Sequence, residues 1–189
     1  MTMSKTKRAI LDAALALSDQ SGISGTTMDD VAVRAGVAKG SLYYNFSSKD
    51  QLFEALLDDG LSTLATSLRE AKGTAEGSAA ILALVDRTLD RITDNRAMAK
   101  LLVAELFRTD RAWKESLVPV RSEIIGVYAE ALAEIDGGDS RATAITASAL
   151  FGAVLVAGLE WVVFEPDRPR AVTRDAVLAL LSGRYALGG

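Results

Sequence analysis

Two short helical patterns between Thr27 and Phe46 constrain the fold of this chain most strongly. Apolar residues recur at helical spacing on both sides of a glycine: Met28, Val31, Ala32 and Ala35 before it, and Leu42 and Phe46 after it. Gly36 can adopt the positive φ that ends a helix. Thr27 and Asp30 have the spacing of a capping box, which marks a helix start. Two helices joined by a short glycine-containing turn are typical of a helix-turn-helix.

The second helix of this pair leaves an unusual set of side chains outside its apolar face. They are Lys39, Gly40, Ser41, Tyr43, Tyr44 and Asn45. A solvated helix normally carries Glu and Lys at such positions, and not paired tyrosines. Lys and Tyr can reach phosphates, whereas Asn and Lys can reach base edges. The pattern therefore predicts a DNA-contacting helix, and the alternative is an ordinary helical hairpin with exposed tyrosines.

Residues 5–57 resemble the DNA-binding domain of the TetR family of bacterial transcriptional repressors. The resemblance covers the initial helix, Gly22, Thr27, the AGV turn, the KGSLYYNF segment and the SKDQLF segment. It implies an all-α protein of about nine helices. An N-terminal three-helix helix-turn-helix domain would bind DNA, and a C-terminal helical bundle would bind a ligand and dimerise. The chain departs from the family at Ala38, where a capping residue is usual, and at Asn45, where His or Tyr is usual.

A second capping box, Ser48 with Gln51, begins a long helix that we predict to extend to about Ala71. Lys49 lies in its first turn, where a cation opposes the helix dipole. A nearby phosphate would reverse that penalty, and the resemblance implies a backbone contact there; the alternative is a solvent lysine. The predicted DNA-contacting residues are Thr27, Lys39, Gly40, Ser41, Tyr43, Tyr44, Asn45 and Lys49.

The domain boundary follows from this long helix. Residues 1–50 form the predicted DNA-binding domain, residues 48–71 the linking helix, and residues 51–189 the predicted effector-binding and dimerisation domain. Residues 1–50 carry a net charge of +1 and residues 51–189 a net charge of −5. This asymmetry is compatible with local DNA contact but does not by itself predict it.

Residues 142–159 contain no charged side chain, and their length would just cross a membrane. We reject a membrane span because threonines and a serine interrupt the segment and no basic cluster follows it. Small residues at four-residue spacing instead predict a helix of a subunit interface, together with a last helix at about 173–185. The predicted homodimer contacts are Ala149, Gly152, Ala153, Val156, Ala157, Leu178 and Leu181.

Dimerisation alone would not require the helices predicted over residues 78–135. We predict that these helices enclose a pocket for a small-molecule effector. Aromatic walls with a few polar groups are typical of ligand sites. The candidates are Glu105, Phe107, Trp113, Tyr128 and Trp161. The alternative is that these aromatic residues belong to the core. A single helix with a kink at Pro119 is predicted from Trp113 to Ile135.

The composition argues against an enzyme and against a metal or another cofactor. The chain has no cysteine and no histidine, so it lacks the commonest metal ligand, the commonest general base and any thiolate nucleophile. No apolar signal-peptide core follows the charged start, which predicts a cytoplasmic protein. We predict a repressor that binds a near-palindromic double-stranded operator as a homodimer and is released by an effector. The alternative is a helical protein–protein adaptor that does not bind DNA.

Overall fold

The computed structural model describes residues 3–105, 108, 110–136 and 140–183. Over these ranges the chain forms nine α-helices and no β-strand, which confirms the predicted all-α fold. The helices are α1 (Lys5–Gly25), α2 (Met28–Ala35), α3 (Lys39–Asn45), α4 (Lys49–Lys72), α5 (Gly77–Asp94), α6 (Arg96–Glu105), α7 (Val118–Asp136), α8 (Ser140–Phe164) and α9 (Arg170–Gly183).

Helices α1–α3 and the first part of α4, to Leu57, form a small unit that we call the head. Its core contains Ile23, Val31 and Leu42, all of them buried. Trp113, from the segment between α6 and α7, is also part of this core. The head is therefore completed by a side chain from the rest of the protein, which we call the body.

The helix ends of the head form as the sequence predicts. Thr27 caps α2: its hydroxyl accepts the Asp30 N–H at 3.1 Å and donates to the Asp30 carboxylate at 2.6 Å. Gly36 ends α2 in the left-handed region, with φ 66°. Gly22 interrupts α1 with φ 68° and ψ 171°. Each of these residues fixes how α3 is oriented on the head.

Helix α4 joins the head to the body, and its start is capped in both directions. The Ser48 hydroxyl accepts the Gln51 N–H at 3.1 Å, and the Gln51 side-chain oxygen accepts the Ser47 N–H at 2.6 Å. Gly60, in the middle of α4, packs directly on Met98 of α6; a Cβ there would lie 2.5 Å from the Met98 sulfur. Any larger residue at this position would require the Met98 side chain to move.

The predicted single helix from Trp113 to Ile135 is wrong at its start. Residues 112–117 form turns, and α7 begins only at Val118. Pro119 therefore lies in the first turn of α7, where its missing N–H leaves no helical hydrogen bond unmade. Proline begins this helix and does not bend it.

The body is built around α7, which packs against α4, α5 and α8, while α9 packs against α8 and α5. One side of α5 is buried, and it carries Ile81, Leu84, Val85, Leu89 and Ile92. The hydroxyl of Tyr128, on α7, lies 2.7 Å from the Thr88 hydroxyl and 3.1 Å from the Leu84 carbonyl oxygen. Burial raises the pKa of Tyr128 well above its ordinary value. This phenol is neutral and hydrogen-bonded inside the core.

Helix α8 contains the only segment, among the described residues, that is long and apolar enough to cross a membrane. This segment is Thr143–Phe164. Its most apolar stretch of 18 residues has a mean hydropathy of 1.9, and 44% of that stretch is buried in the protein. A core helix of a soluble protein passes the same test, so the segment is weak evidence for a membrane span. One side of α8 packs on α5 and α7, and the other side is exposed.

Candidate nucleic-acid interface and effector cavity

Helix α3 is held by two buried anchors and presents its other face to solvent. Leu42 and Phe46 are 0% and 1% exposed, whereas Tyr44 is 91% exposed and Tyr43 is 47% exposed. Lys39 and Gly40 are also exposed. A phenol that is almost fully exposed contributes little to the packing of its own protein. The face predicted from the sequence to meet DNA is therefore the face that this chain leaves uncovered.

Several predicted DNA-contacting side chains already have partners within the chain. Lys39 Nζ lies 2.6 Å from the Asp29 carboxylate, and this hydrogen bond raises the pKa of Lys39. Lys49 Nζ donates to the Ser24 carbonyl oxygen at 3.3 Å, and so ties the start of α4 to the end of α1. The Thr27 hydroxyl caps α2, as described above. These contacts orient the cations beside α3 in the absence of DNA.

The remaining polar residues of α3 are partly covered. Asn45 donates its side-chain amide to the Ser41 carbonyl oxygen at 2.8 Å, and both residues are half-buried. Ala38 precedes α3 at the capping position and makes no side-chain hydrogen bond there, as its methyl group dictates. The starts of α1, α2 and α4 each have a side-chain cap, whereas the start of α3 has none.

A second candidate site is a cavity of about 290 Å³ between the linking helix and the body. Its apolar walls come from α4, α6, α7, α8 and the turn before α7: Leu57, Leu61, Leu64, Leu102, Trp113, Leu117, Val118, Ile124, Phe151 and Leu155. Four ionisable residues also line it: Glu105, Arg108, Lys114 and Arg121. An apolar cavity with a few polar groups is typical of a small-molecule site.

Two of the five predicted pocket residues, Glu105 and Trp113, line this cavity. Tyr128 does not line it; its fully buried ring packs behind Phe151, with ring centroids 5.8 Å apart. Trp161 lies elsewhere in the core, where its indole N–H donates to the Arg168 carbonyl oxygen at 2.8 Å. Phe107 lies outside the described residues.

The leucines of α4 and Phe151 line the cavity but were not among the predicted pocket residues. Leu57, Leu61 and Leu64 recur at helical spacing, and such a stripe gives the same signal whether it faces a core or a cavity. The sequence feature that could have indicated the cavity is a set of cations, because Arg108, Lys114 and Arg121 interrupt apolar runs of the body and line the cavity.

The polar wall of the cavity contains two internal ion pairs. Arg111 binds both oxygens of Glu105, at 2.7 and 2.9 Å, and both side chains are largely buried. The same guanidinium lies over the Trp113 ring, 5.2 Å from its centroid. Arg108 binds both oxygens of Asp110, at 2.9 and 2.7 Å, and holds the pKa of Asp110 well below its usual range. Each of these carboxylates is engaged by an arginine of its own.

The exposed side of α8 and α9 is apolar. Of the predicted dimer contacts, Val156 is 63% exposed and Ala149 is exposed. The other predicted contacts are half-buried: Gly152, Ala153, Ala157, Leu178 and Leu181. Further exposed large residues on these helices are Ile145, Val163, Phe164, Val172 and Leu180. These larger residues were not among the predicted dimer contacts, most of which are small.

The head matches a known family. Residues 10–56, from α1 to the first part of α4, match the model of the bacterial regulatory proteins, tetR family. The head is therefore a TetR-family DNA-binding domain. A Haemophilus influenzae relative, named as an uncharacterized HTH-type transcriptional regulator, is 30% identical over 112 residues, which are 58% of this chain and 55% of that protein. The chain spans about half the length of the curated relatives that it matches.

Solved structures of similar fold cover both the head and the body of this chain. The fatty acid degradation regulator FadR from Bacillus halodurans has a TM-score of 0.81 at 18% identity, over 96% of each chain. FadR from Bacillus subtilis, solved in complex with stearoyl-CoA, has a TM-score of 0.78 at 19% identity, over 92% of this chain and 96% of that chain. These likenesses establish the fold. The curated relatives are named as HTH-type transcriptional regulators.

Proposed function

We propose that this protein is a repressor that binds a near-palindromic operator as a homodimer and releases it when a small molecule occupies the cavity. The observation that carries the proposal is the exposed face of α3, where Tyr43 and Tyr44 stand on a helix anchored by Leu42 and Phe46. A short helix with buried anchors and an exposed polar face can enter a major groove without unfolding its own domain.

In this proposal the residues of the head divide between phosphate contacts and base contacts. Lys39, Lys49 and the two tyrosines reach phosphates, while Ser41 and Asn45 face base edges. Gly40, which has no side chain, lets the DNA backbone come close to the start of α3. Thr27 orients α2 against the duplex through its cap. The ion pair of Lys39 with Asp29 must open, or be shared, when a phosphate approaches.

The apolar side of α8 and α9 supports a homodimer. Monomeric proteins rarely expose contiguous apolar surface, so a helix that exposes Ile145, Val156 and Phe164 is expected to have a partner. A two-fold interface uses the same surface of both copies. Such a pair would hold the two α3 helices about 34 Å apart, one for each of two successive major grooves.

The cavity supports an effector that acts on the head. Leu57 and Trp113 line the cavity and also belong to the core of the head. A ligand that displaced either side chain would change the packing beneath α1–α3. Release of DNA requires that the ligand binds better to a state with a different arrangement of heads. The Bacillus subtilis FadR complex with stearoyl-CoA supports an effector with an apolar part, because this cavity also has apolar walls.

Selection of duplexes from a randomised pool tests the DNA-binding part of this proposal. The full chain is expected to enrich one near-palindromic sequence whose half-sites lie about 34 Å apart centre to centre. Affinity for that sequence should fall with added salt while the preference over other sequences remains. Failure to enrich any sequence, with a folded protein, would contradict the proposal and favour the adaptor interpretation.

The two tryptophans of the described chain provide a test of the coupling that needs no known effector. Trp161→Phe leaves Trp113 as the reporter at the cavity, and Trp113→Phe leaves Trp161 in the distant core. Because coupling between two sites is reciprocal, DNA that changes the cavity must change the environment of Trp113. The selected duplex is expected to shift the emission of the Trp161→Phe protein and to leave the Trp113→Phe protein unchanged. Equal responses of the two proteins would argue against coupling through Trp113.

A further inference from the structure

We propose that the effector is a small amphipathic anion, and that its charged group binds Lys114 and Arg121 at the mouth of the cavity. This inference rests on the proposed function, which makes the cavity the effector site. It goes further by naming the chemistry of the ligand and the two residues that recognise its charge.

The walls require a ligand that is mostly apolar. Ten of the fourteen lining residues are aliphatic or aromatic, and they come from every side of the cavity. The volume of about 290 Å³ holds on the order of ten non-hydrogen atoms, if each occupies roughly the 30 Å³ that one water takes in the liquid. Removing that much apolar surface from water provides the main favourable contribution to binding. The ligand body is therefore a short chain or a small ring system.

The mouth of the cavity is positively charged although the protein is acidic. Three cations line the cavity, Arg108, Lys114 and Arg121, and one carboxylate, Glu105. The ion-pair partners of this lining add one more cation, Arg111, and one more carboxylate, Asp110. The local balance is +2, whereas residues 51–189 as a whole carry −5. A locally reversed charge at the entrance of an apolar cavity attracts anions and disfavours cations.

The ion pairs identify which cations are available to a ligand. Arg111 is engaged by Glu105 and Arg108 by Asp110, each through two hydrogen bonds. Neither Lys114 nor Arg121 forms an ion pair with any residue that the structure describes. The unneutralised charge of the mouth is therefore carried by these two side chains. Glu105, the one carboxylate in the lining, is occupied by Arg111 and offers a cationic ligand no free oxygen pair.

Lys114 and Arg121 each carry one positive charge that can attract a carboxylate or a phosphate group. The two side chains differ in the geometry of the hydrogen bonds that they donate. The Arg121 guanidinium can donate two parallel hydrogen bonds to two oxygens, whereas the Lys114 ammonium acts as a point charge. Lys114 lies in the turn that also carries Trp113, and Arg121 lies on α7. An anion between them would join that turn to α7, next to the side chain that completes the core of the head.

A series of probes with one tail and three head groups tests the chemistry of the ligand. Calorimetric titration of the intact protein with decanoate, decanol and decylamine, each below its micelle concentration, compares an anion, a neutral group and a cation. Decanoate is expected to bind roughly tenfold more tightly than decanol, and decylamine most weakly, because hydrogen bonds to charged groups are the strong ones. Equal affinities, a preference for decylamine, or no binding of any probe would overturn the proposal.

Three matched substitutions test the residues. Lys114→Gln and Arg121→Gln are each expected to weaken decanoate roughly tenfold and to leave decanol unchanged. Arg108→Gln is the control, because this arginine lines the same mouth but is neutralised by Asp110; it should change neither affinity. Arg121→Lys should recover part of the lost affinity. Loss of the decanoate preference in Arg108→Gln alone, or in none of the variants, would overturn the assignment.

Duplex binding of the same variants separates this inference from the proposed function. Lys114 and Arg121 lie outside the head, so both glutamine variants should bind the selected duplex as the unsubstituted protein does when no probe is present. If the duplex binds and decanoate shows no preference, the inference fails and the proposed function stands. If the unsubstituted protein binds no duplex, the proposed function fails whatever the titrations show.

Discussion

Helices α3 and α8 both expose large side chains, yet the two surfaces differ in what could cover them. On α3 the exposed residues are phenols beside Lys39, and Tyr44 is 91% exposed. On α8 they are aliphatic and aromatic residues without polar atoms, such as Val156 at 63% and Phe164 at 71%. A phenol can face water or a phosphate, because it carries its own hydrogen-bonding group. A valine can be covered favourably only by another apolar surface.

The comparison teaches that exposure alone does not identify a partner; the chemistry of the exposed atoms does. Helix α3 is short and is fixed by capped neighbours, whereas α8 is long and gains its order from packing. Substitutions on the two surfaces should therefore have different signatures, which can be measured together as DNA affinity and as molecular mass in solution.

The largest effect is expected from a charge on the apolar surface. Val156→Glu places a carboxylate where we propose that two copies meet, so the protein should become monomeric by sedimentation. Duplex affinity should also fall by roughly a hundredfold or more, because the second half-site is no longer bound within one assembly. Leu82→Glu, at an exposed position of α5, is the control and should retain both properties. A dimeric Val156→Glu protein would contradict the proposed interface.

A smaller and more selective effect is expected from Tyr44→Ala. The side chain is almost entirely exposed, so the free energy of unfolding and the molecular mass should not change. Duplex affinity should fall roughly tenfold, since each of the two subunits loses one solvent-exposed hydrogen bond worth about 0.7 kcal/mol. Gel-shift titration and thermal unfolding measure both. Unchanged affinity would mean that this phenol does not face the duplex and would remove the main contrast between α3 and α8.

Tyr128→Phe changes neither surface and shows whether the contrast reflects surface chemistry or general stability. The substitution removes a buried hydroxyl, while the Thr88 hydroxyl keeps its bond to the Leu84 carbonyl oxygen. The free energy of unfolding should fall by about 1 kcal/mol, measured by denaturant titration. Mass and duplex affinity at low temperature should remain as they were. A loss of duplex affinity would show that DNA binding depends on the body core.

The smallest expected effect is a gain at the start of α3. Ala38→Ser supplies the side-chain oxygen that this capping position lacks, and should stabilise the head by about 0.5–1 kcal/mol. Thermal unfolding measures the gain, and duplex affinity should rise slightly or stay constant because α3 is better formed. A destabilised Ala38→Ser protein would show that another group already satisfies the exposed N–H groups of α3.

The head could be predicted from the sequence because its structure depends on local signals. Thr27 and Ser48 cap the helices that follow them, and Gly22 and Gly36 interrupt or end helices with positive φ. Such signals act within a few residues, so they can be recognised without knowledge of the tertiary structure. The buried anchors of α3 follow from helical spacing for the same reason.

The body was harder to predict because its features depend on which helices meet. Pro119 fits a kink or a helix start equally well, and only the turns before it decide between them. Tyr128 and Trp161 are of residue types that are common in ligand pockets, yet the packing of α5 and α8 places them in the core. Helical periodicity alone does not distinguish a leucine that lines a cavity from one that lines a core.

The ion pair between Lys39 and Asp29 has a consequence for how DNA binding would respond to ionic strength. A cation that meets a phosphate normally lets one condensed counterion escape from the DNA, and affinity then falls with salt at a slope of about 0.9 for each phosphate. When a phosphate takes Lys39 from Asp29, the uncovered carboxylate recruits a small cation from solution. The gain from one released ion is then largely cancelled in each subunit. Replacing Asp29 with Asn should steepen the salt dependence, and the native pair would keep operator recognition less sensitive to the ionic conditions of the cell.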